Sequence, residues 1–218
     1  VLAPGRYRLS EGLILKGDGV VVRGVGVREA VEVLGQGVDG PLRNVFEVQG
    51  QRVTIANLSV GEAGDHAIRV RGDLDADGFH GTHLRLFDTG KQIFKVHHVK
   101  DGTTADDGLL EWSLIEFSAG HAPNTYTGGI GAIGARNWIV RHNVVRNIRT
   151  PPGFRAGPGT AIMFRRKSEG TRIEHNLVLN SDAGIRLGLS DAGHGPGRIV
   201  NNWVHTIRDA GIAIEHAH

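Results

Sequence analysis

Lys95, His97, Tyr126, Arg165 and Arg186 form a set of side chains able to move a proton at a carbon that sits beside a carboxylate. An amine, a phenolate or an imidazole accepts the proton, while a guanidinium neutralises the carboxylate as negative charge develops. Arg69, Arg71, Phe154, Arg155, His194 and Glu215 are the candidate substrate-binding residues around them. The first five are spread from position 95 to position 186 and share no local motif, so only a repeating scaffold could gather them.

Such a scaffold is written into the chain. Four phrases, "RVTIANLSV" at 52–60, "NWIVRHNVV" at 137–145, "TRIEHNLVL" at 171–179 and "GRIVNNWVH" at 197–205, are β-branched runs that meet an Asn: Asn57, Asn143, Asn176 and Asn202. Weaker copies at 79–87 and 109–117 put His83 and Ser113 in the same place, so the series 57, 83, 113, 143, 176, 202 advances in steps of 26 to 33 residues. A repeat of that length without helical period predicts a solenoid. Asn suits a recurrent corner because it tolerates left-handed backbone, and its amide can bond the next repeat, so stacked Asn residues would form a ladder.

A companion strand follows each corner: "HAIRVR" at 66–71, "KQIFKV" at 91–96, "GGIGAI" at 128–133, "TAIMFR" at 160–165, "AGIRLG" at 183–188 and "AGIAIE" at 210–215. Its alternation (Ile68/Val70, Ile162/Phe164, Ile185/Leu187, Ile212/Ile214) is the period of a strand with one face inside. Three strands per repeat predict an all-β, single-domain parallel β-helix of about seven coils over 1–218, with N-terminal coils in 1–50 and regular repeats in 51–218. The N-terminal strands are expected at 6–9, 13–15 and 20–23. With the Ile positions inward, Arg69, Arg71, Lys95, His97, Arg165 and Arg186 face solvent on one sheet, interrupted by Gly131 and Ile133. Stacked about 4.8 Å apart, they form a basic stripe suited to a long acidic ligand. Tyr126 reaches in from the loop before "TGGI". The Pro/Gly-rich insertion at 149–159 places Phe154 and Arg155 beside the groove, because solenoid insertions gather on the binding face.

Other signals bound the function. Asp73, Asp75, Asp77 and Gly78 reproduce the start of a calcium loop, which makes calcium the one cofactor the sequence offers; the twelfth loop position is Leu84, not a bidentate Glu, and a solvated turn is the alternative. The histidine pairs have no zinc-site spacing. Twenty-five basic against 23 acidic side chains leave +2, which argues against a nucleic-acid binder. No apolar run approaches the length of a membrane span. Cysteine is absent, so disulfides and thiolate metal sites are excluded. Trp112, Trp138 and Trp203 fall near corners, where packing within the solenoid is expected.

The stretch from about 57 to 215, with "DTGKQIFK", "YTGGIGAIGARNWIVRHNVVRNIR", "AGPGTAIMF", "EGTRIEHNLVLNSDAGIRLGL" and "GRIVNNWVHTIRDAGIAI", resembles the bacterial right-handed parallel β-helix repeat proteins of the pectate-lyase-like superfamily. The resemblance implies that fold and an extracellular or periplasmic setting, with a signal segment outside the given sequence. It also implies a uronate-containing polysaccharide as partner and a lyase-like or epimerase-like role, with a noncatalytic binding or structural solenoid as the alternative. In the superfamily the strand after "YT" tends to carry outward Asp and His, where this chain has Gly131 and Ile133.

Overall fold

The computed structural model describes residues 1–97, 103–154, 159–189 and 193–215. Twenty-three short strands wind into three parallel sheets, and the strand order within each sheet advances by one coil at every step. Seven complete coils are followed by an eighth of two strands, Trp203–Ile207 and Ile212–Ile214. The N-terminal strands lie at Gly5–Arg8, Leu13–Leu15 and Val21–Arg23, within a residue of their expected places. Helix is confined to two short 3-10 turns, Arg28–Ala30 and Gly72–Leu74.

The companion strands make up the second sheet: Leu13–Leu15, Asn44–Val48, His66–Arg71, Gln92–His97, Gly128–Ile133, Thr160–Arg165, Ala183–Leu187 and Ile212–Ile214. Register pairs like with like: Phe46, Ile68, Phe94, Ile130, Ile162 and Ile185 stack as one buried column, and Val48, Val70, Val96, Ala132, Phe164 and Leu187 as a second. A one-residue slip would turn both columns to solvent, so burial itself fixes the register. Phe79, Phe94 and Phe164 close around the buried Trp138 ring at centroid distances of 6.2, 5.9 and 6.4 Å. Trp138 Nε1 donates to the Ala105 carbonyl at 2.6 Å, which satisfies the one polar atom the ring carries inside. The other tryptophans are on the surface; Trp112 stacks on His142 at 4.2 Å, and Trp203 is largely exposed.

The corner differs from the sequence expectation by one residue. Left-handed backbone occurs at Asn57, His83, Trp112, His142, His175 and Asn201. The residues that bond between coils are the next ones along, Ser113, Asn143, Asn176 and Asn202. Asn143 Nδ2 donates to Asn176 Oδ1 at 3.1 Å, and Asn176 Nδ2 donates to Asn202 Oδ1 at 2.9 Å. The same oxygens accept the backbone N–H groups of Asn143 and Asn176. The series 57, 83, 113, 143, 176, 202 thus mixes two positions: Asn57 and His83 make the turn, while Ser113 onward occupy the buried bonding site. The reason is a division of labour, in which the turn residue points out and accepts a strained backbone, and its successor points in and satisfies buried donors.

Candidate active site

Register on the second sheet aligns Glu47, Arg69, Lys95, Gly131, Met163, Arg186 and Ala213 as one outward row. Arg71 pairs with His97 and Ile133 with Arg165 along the neighbouring outward row. The sequence-derived stripe is therefore on one face, but its charges are not equivalent.

At the N-terminal end Arg71 is held at 2.7 Å from Glu47 and forks onto both oxygens of Asp73, while Arg69 lies 3.6 Å from Glu47. At the other end Arg186 is paired with Asp209 at 3.2 Å and Glu215 at 3.0 Å. Arg69, Arg71, Arg186 and Glu215 are thus engaged with each other's kind, as exposed and half-buried charges stacked a few ångströms apart must be to coexist.

Lys95 is the exception. Only 8% of it is exposed, and its ammonium has no hydrogen bond or ion pair among the described residues. Burial, aided by the positive charges of Arg165 and Arg69, pulls its pKa down from 10.5 to about 8. Its position depends on the strand beside it. A Cβ placed on Gly131 would stand 2.9 Å from Gln92 Cγ and 3.6 Å from Lys95 Nζ, so the lysine leans over the bare backbone of the next coil. The Gly131 that reads in sequence as a missing polar residue is the space in which Lys95 lies.

The groups around Lys95 complete the centre. His97 has no described polar partner, and burial together with Lys95 and Arg69 pushes its pKa down to about 4, so the ring is neutral at pH 7. Arg165 forms no ion pair among the described residues, and its buried Nε lacks a hydrogen-bond partner there. It lines a small cleft with Gln92, Tyr126, Thr127, Met163 and Leu189. Tyr126 is 67% exposed at the cleft edge, on a loop tied down by Asn124, which accepts the Tyr126 N–H at 2.8 Å and donates to the Gly90 carbonyl at 2.9 Å.

Three expectations are corrected by the packing. His194 is buried away from this face, with its ring bonded to the Thr171 hydroxyl at 2.9 Å and the Gly195 carbonyl at 2.5 Å. Phe154 is exposed on its insertion and is not among the cleft-lining residues, and Arg155 lies outside the described residues. The aspartates do not fit calcium: both oxygens of Asp73 are taken by Arg71, Asp77 Oδ1 accepts the Asp106 N–H at 2.7 Å, and Asp75 sits in the left-handed turn after the 3-10 segment. Burial and the carboxylates of Asp106, Asp75 and Asp107 raise the Asp77 pKa. Among the described residues no group of three or more His, Asp or Glu side chains converges as a metal site.

Sequence reasoning missed Gln92, Glu47 and Asp209. Gln92 was accessible: His66, Gln92, Gly128 and Thr160 occupy one register position, two residues before the inward Ile or Phe. His66, buried on that position with Nδ1 at 2.6 Å from the Gln92 carbonyl, has its pKa pushed to about 3, chiefly by burial, and serves as neutral floor.

No family profile and no curated protein matches the chain. Solved structures do. An alginate lyase from Paenibacillus sp. str. FPU-7 aligns over 92% of this chain and 66% of its own with a TM-score of 0.65 at 18% identity. The Escherichia coli protein ybhc aligns over 96% of this chain and 62% of its own with a TM-score of 0.53 at 15% identity. The chain therefore spans a little under two thirds of the length of each. Identities this low speak for architecture alone, and together with three parallel sheets of seven or eight strands they show a parallel β-helix of the pectate-lyase-like type.

Proposed function

We propose that the protein acts on a uronate-containing polysaccharide laid along the outward face of the second sheet, by a lyase-like β-elimination. The observation that carries this reading is Lys95: a buried amine without a partner, titrating near neutrality, over the one coil where the floor has no side chain. A base is most effective when its pKa lies near the working pH. In the proposed step the Arg165 guanidinium engages the uronate carboxylate and makes the adjacent carbon acidic. The neutral Lys95 amine takes that carbon's proton, a C=C bond forms within the ring, and the glycosidic C–O bond breaks. The departing oxygen collects a proton from the Tyr126 hydroxyl. An epimerase uses the same first step and returns a proton to the opposite face.

A setting outside the cytoplasm belongs to this proposal, since a polymeric substrate is met there. A noncatalytic binding solenoid is the second reading, and the ion pairing of Arg69, Arg71 and Arg186 favours it, because those cations are already held as structure.

Alginate and pectate digests followed by the ultraviolet absorbance of an unsaturated uronate test the first reading. Product is expected from the wild type and not from Lys95→Ala, with Arg165→Ala reduced by at least a hundredfold. Absence of product and of isomerised uronate, with polymer still retained on the protein, would establish the binding reading instead. Turnover that survives Lys95→Ala would remove Lys95 as the base.

A further inference from the structure

The groove carries its charge in an unexpected order. At the N-terminal end two cations, Arg69 and Arg71, face two carboxylates, Glu47 and Asp73. In the centre stand Lys95 and Arg165, with no described carboxylate paired to either. At the C-terminal end one cation, Arg186, faces two carboxylates, Asp209 and Glu215. Read along the tube among the described residues, the floor is balanced, then positive, then negative. Lys95 and Arg186 sit three strands apart on one register row, about 14 Å at sheet spacing, and Glu47 is two strands from Lys95 on the other side, about 10 Å.

We propose that the groove selects a polysaccharide in which an isolated uronate is flanked by uncharged sugars, in preference to an unbroken run of uronates. This rests on the reading of the groove as a uronate site and narrows it. Lys95 leans over Gly131 from one side and Arg165 belongs to the strand on the other, so one carboxylate can be met by both. A second carboxylate a few units further along meets Asp209 and Glu215, whose charge exceeds that of Arg186. Like charges brought that close in a half-desolvated groove cost affinity, and such repulsion is how a site rejects a near-cognate polymer. Toward the N-terminal end Glu47 and Asp73 already occupy Arg69 and Arg71, so a carboxylate there finds no free cation and displaces an existing pair to bind.

Binding of length-matched oligosaccharides by calorimetry at low salt tests this. The probes are alginate hexamers, hexamers alternating uronate with an uncharged sugar (hyaluronan and desulfated chondroitin), and a neutral glucan hexamer. The wild type is expected to bind an alternating hexamer at least threefold more tightly than the alginate hexamer. Asp209→Asn, at a 68% exposed side chain where folding is not at stake, is expected to strengthen alginate two- to threefold and leave the alternating hexamers unchanged. Alginate bound as tightly as the alternating probes overturns the proposal and leaves the uronate site standing. A preference that Asp209→Asn does not narrow overturns its electrostatic basis. If no uronate oligomer binds more tightly than the glucan, the underlying reading falls, and this proposal with it.

Discussion

Replacing Lys95 by Met should stabilise the fold while ending any proton transfer that depends on the amine. Methionine keeps most of the apolar stem and discards the charge. In the folded protein the lysine titrates at about 8 rather than 10.5. At about 1.4 kcal/mol per pH unit, that gap corresponds to about 3 kcal/mol by which the buried ammonium opposes folding. The pH dependence has a definite sign. Below pH 8 the lysine is charged in both states and the full cost is present. Between 8 and 10.5 the folded state loses the proton first, so the cost declines. Above 10.5 both states are neutral and the cost is gone. Urea denaturation of wild type and Lys95→Met at pH 7 should therefore show the variant more stable by up to about 3 kcal/mol, with the advantage shrinking toward zero by about pH 11. Other groups titrate in both proteins and cancel in the comparison. A variant less stable at pH 7, or an advantage that does not change with pH, would refute the claim that Lys95 is held desolvated and unpaired.

The same titration sets the activity profile: with the neutral amine as base, initial rates of uronate product formation should rise with pH and level off above about 8, whereas a rate that falls through that range would assign the base elsewhere. Asn176→Ala should destabilise by about 2–4 kcal/mol in thermal or urea unfolding, because it removes bonds to Asn202 and the Val140 carbonyl and leaves the Asn143 amide groups without their acceptor in a buried corner; a loss under about 0.5 kcal/mol would show that water replaces those bonds.

The scaffold was legible because its code is periodic. Pairs such as Ile68/Val70 and Ile162/Phe164 carry the strand alternation, and burial makes any other register costly. The corner was legible only to within one residue, since a turn favours Asn or His at one position and an interior bond favours Asn at the next. Candidate residues on the outward row were also within reach, and Lys95, His97 and Arg165 do share one face. Their ion-pairing was not. The partners that neutralise Arg71 and Arg186 come from coils before and after, at separations of 24, 23 and 29 residues set by loops of irregular length. Gly131 was misread for a related reason. Position by position it offers no chemistry, and its role appears only when the side chain of the preceding coil is laid over it.

That arrangement changes what counts as the functional unit in a solenoid of this kind. A coil is the unit of folding and of sequence repetition, yet the amine that stands over the Gly131 coil is rooted in the Gln92–His97 strand. Chemistry here belongs to a pair of adjacent coils, one donating a reaching side chain and the other a gap to receive it. Transplanting a single coil between such proteins would move half of a site, whereas transplanting two neighbours would carry the lysine and its berth together.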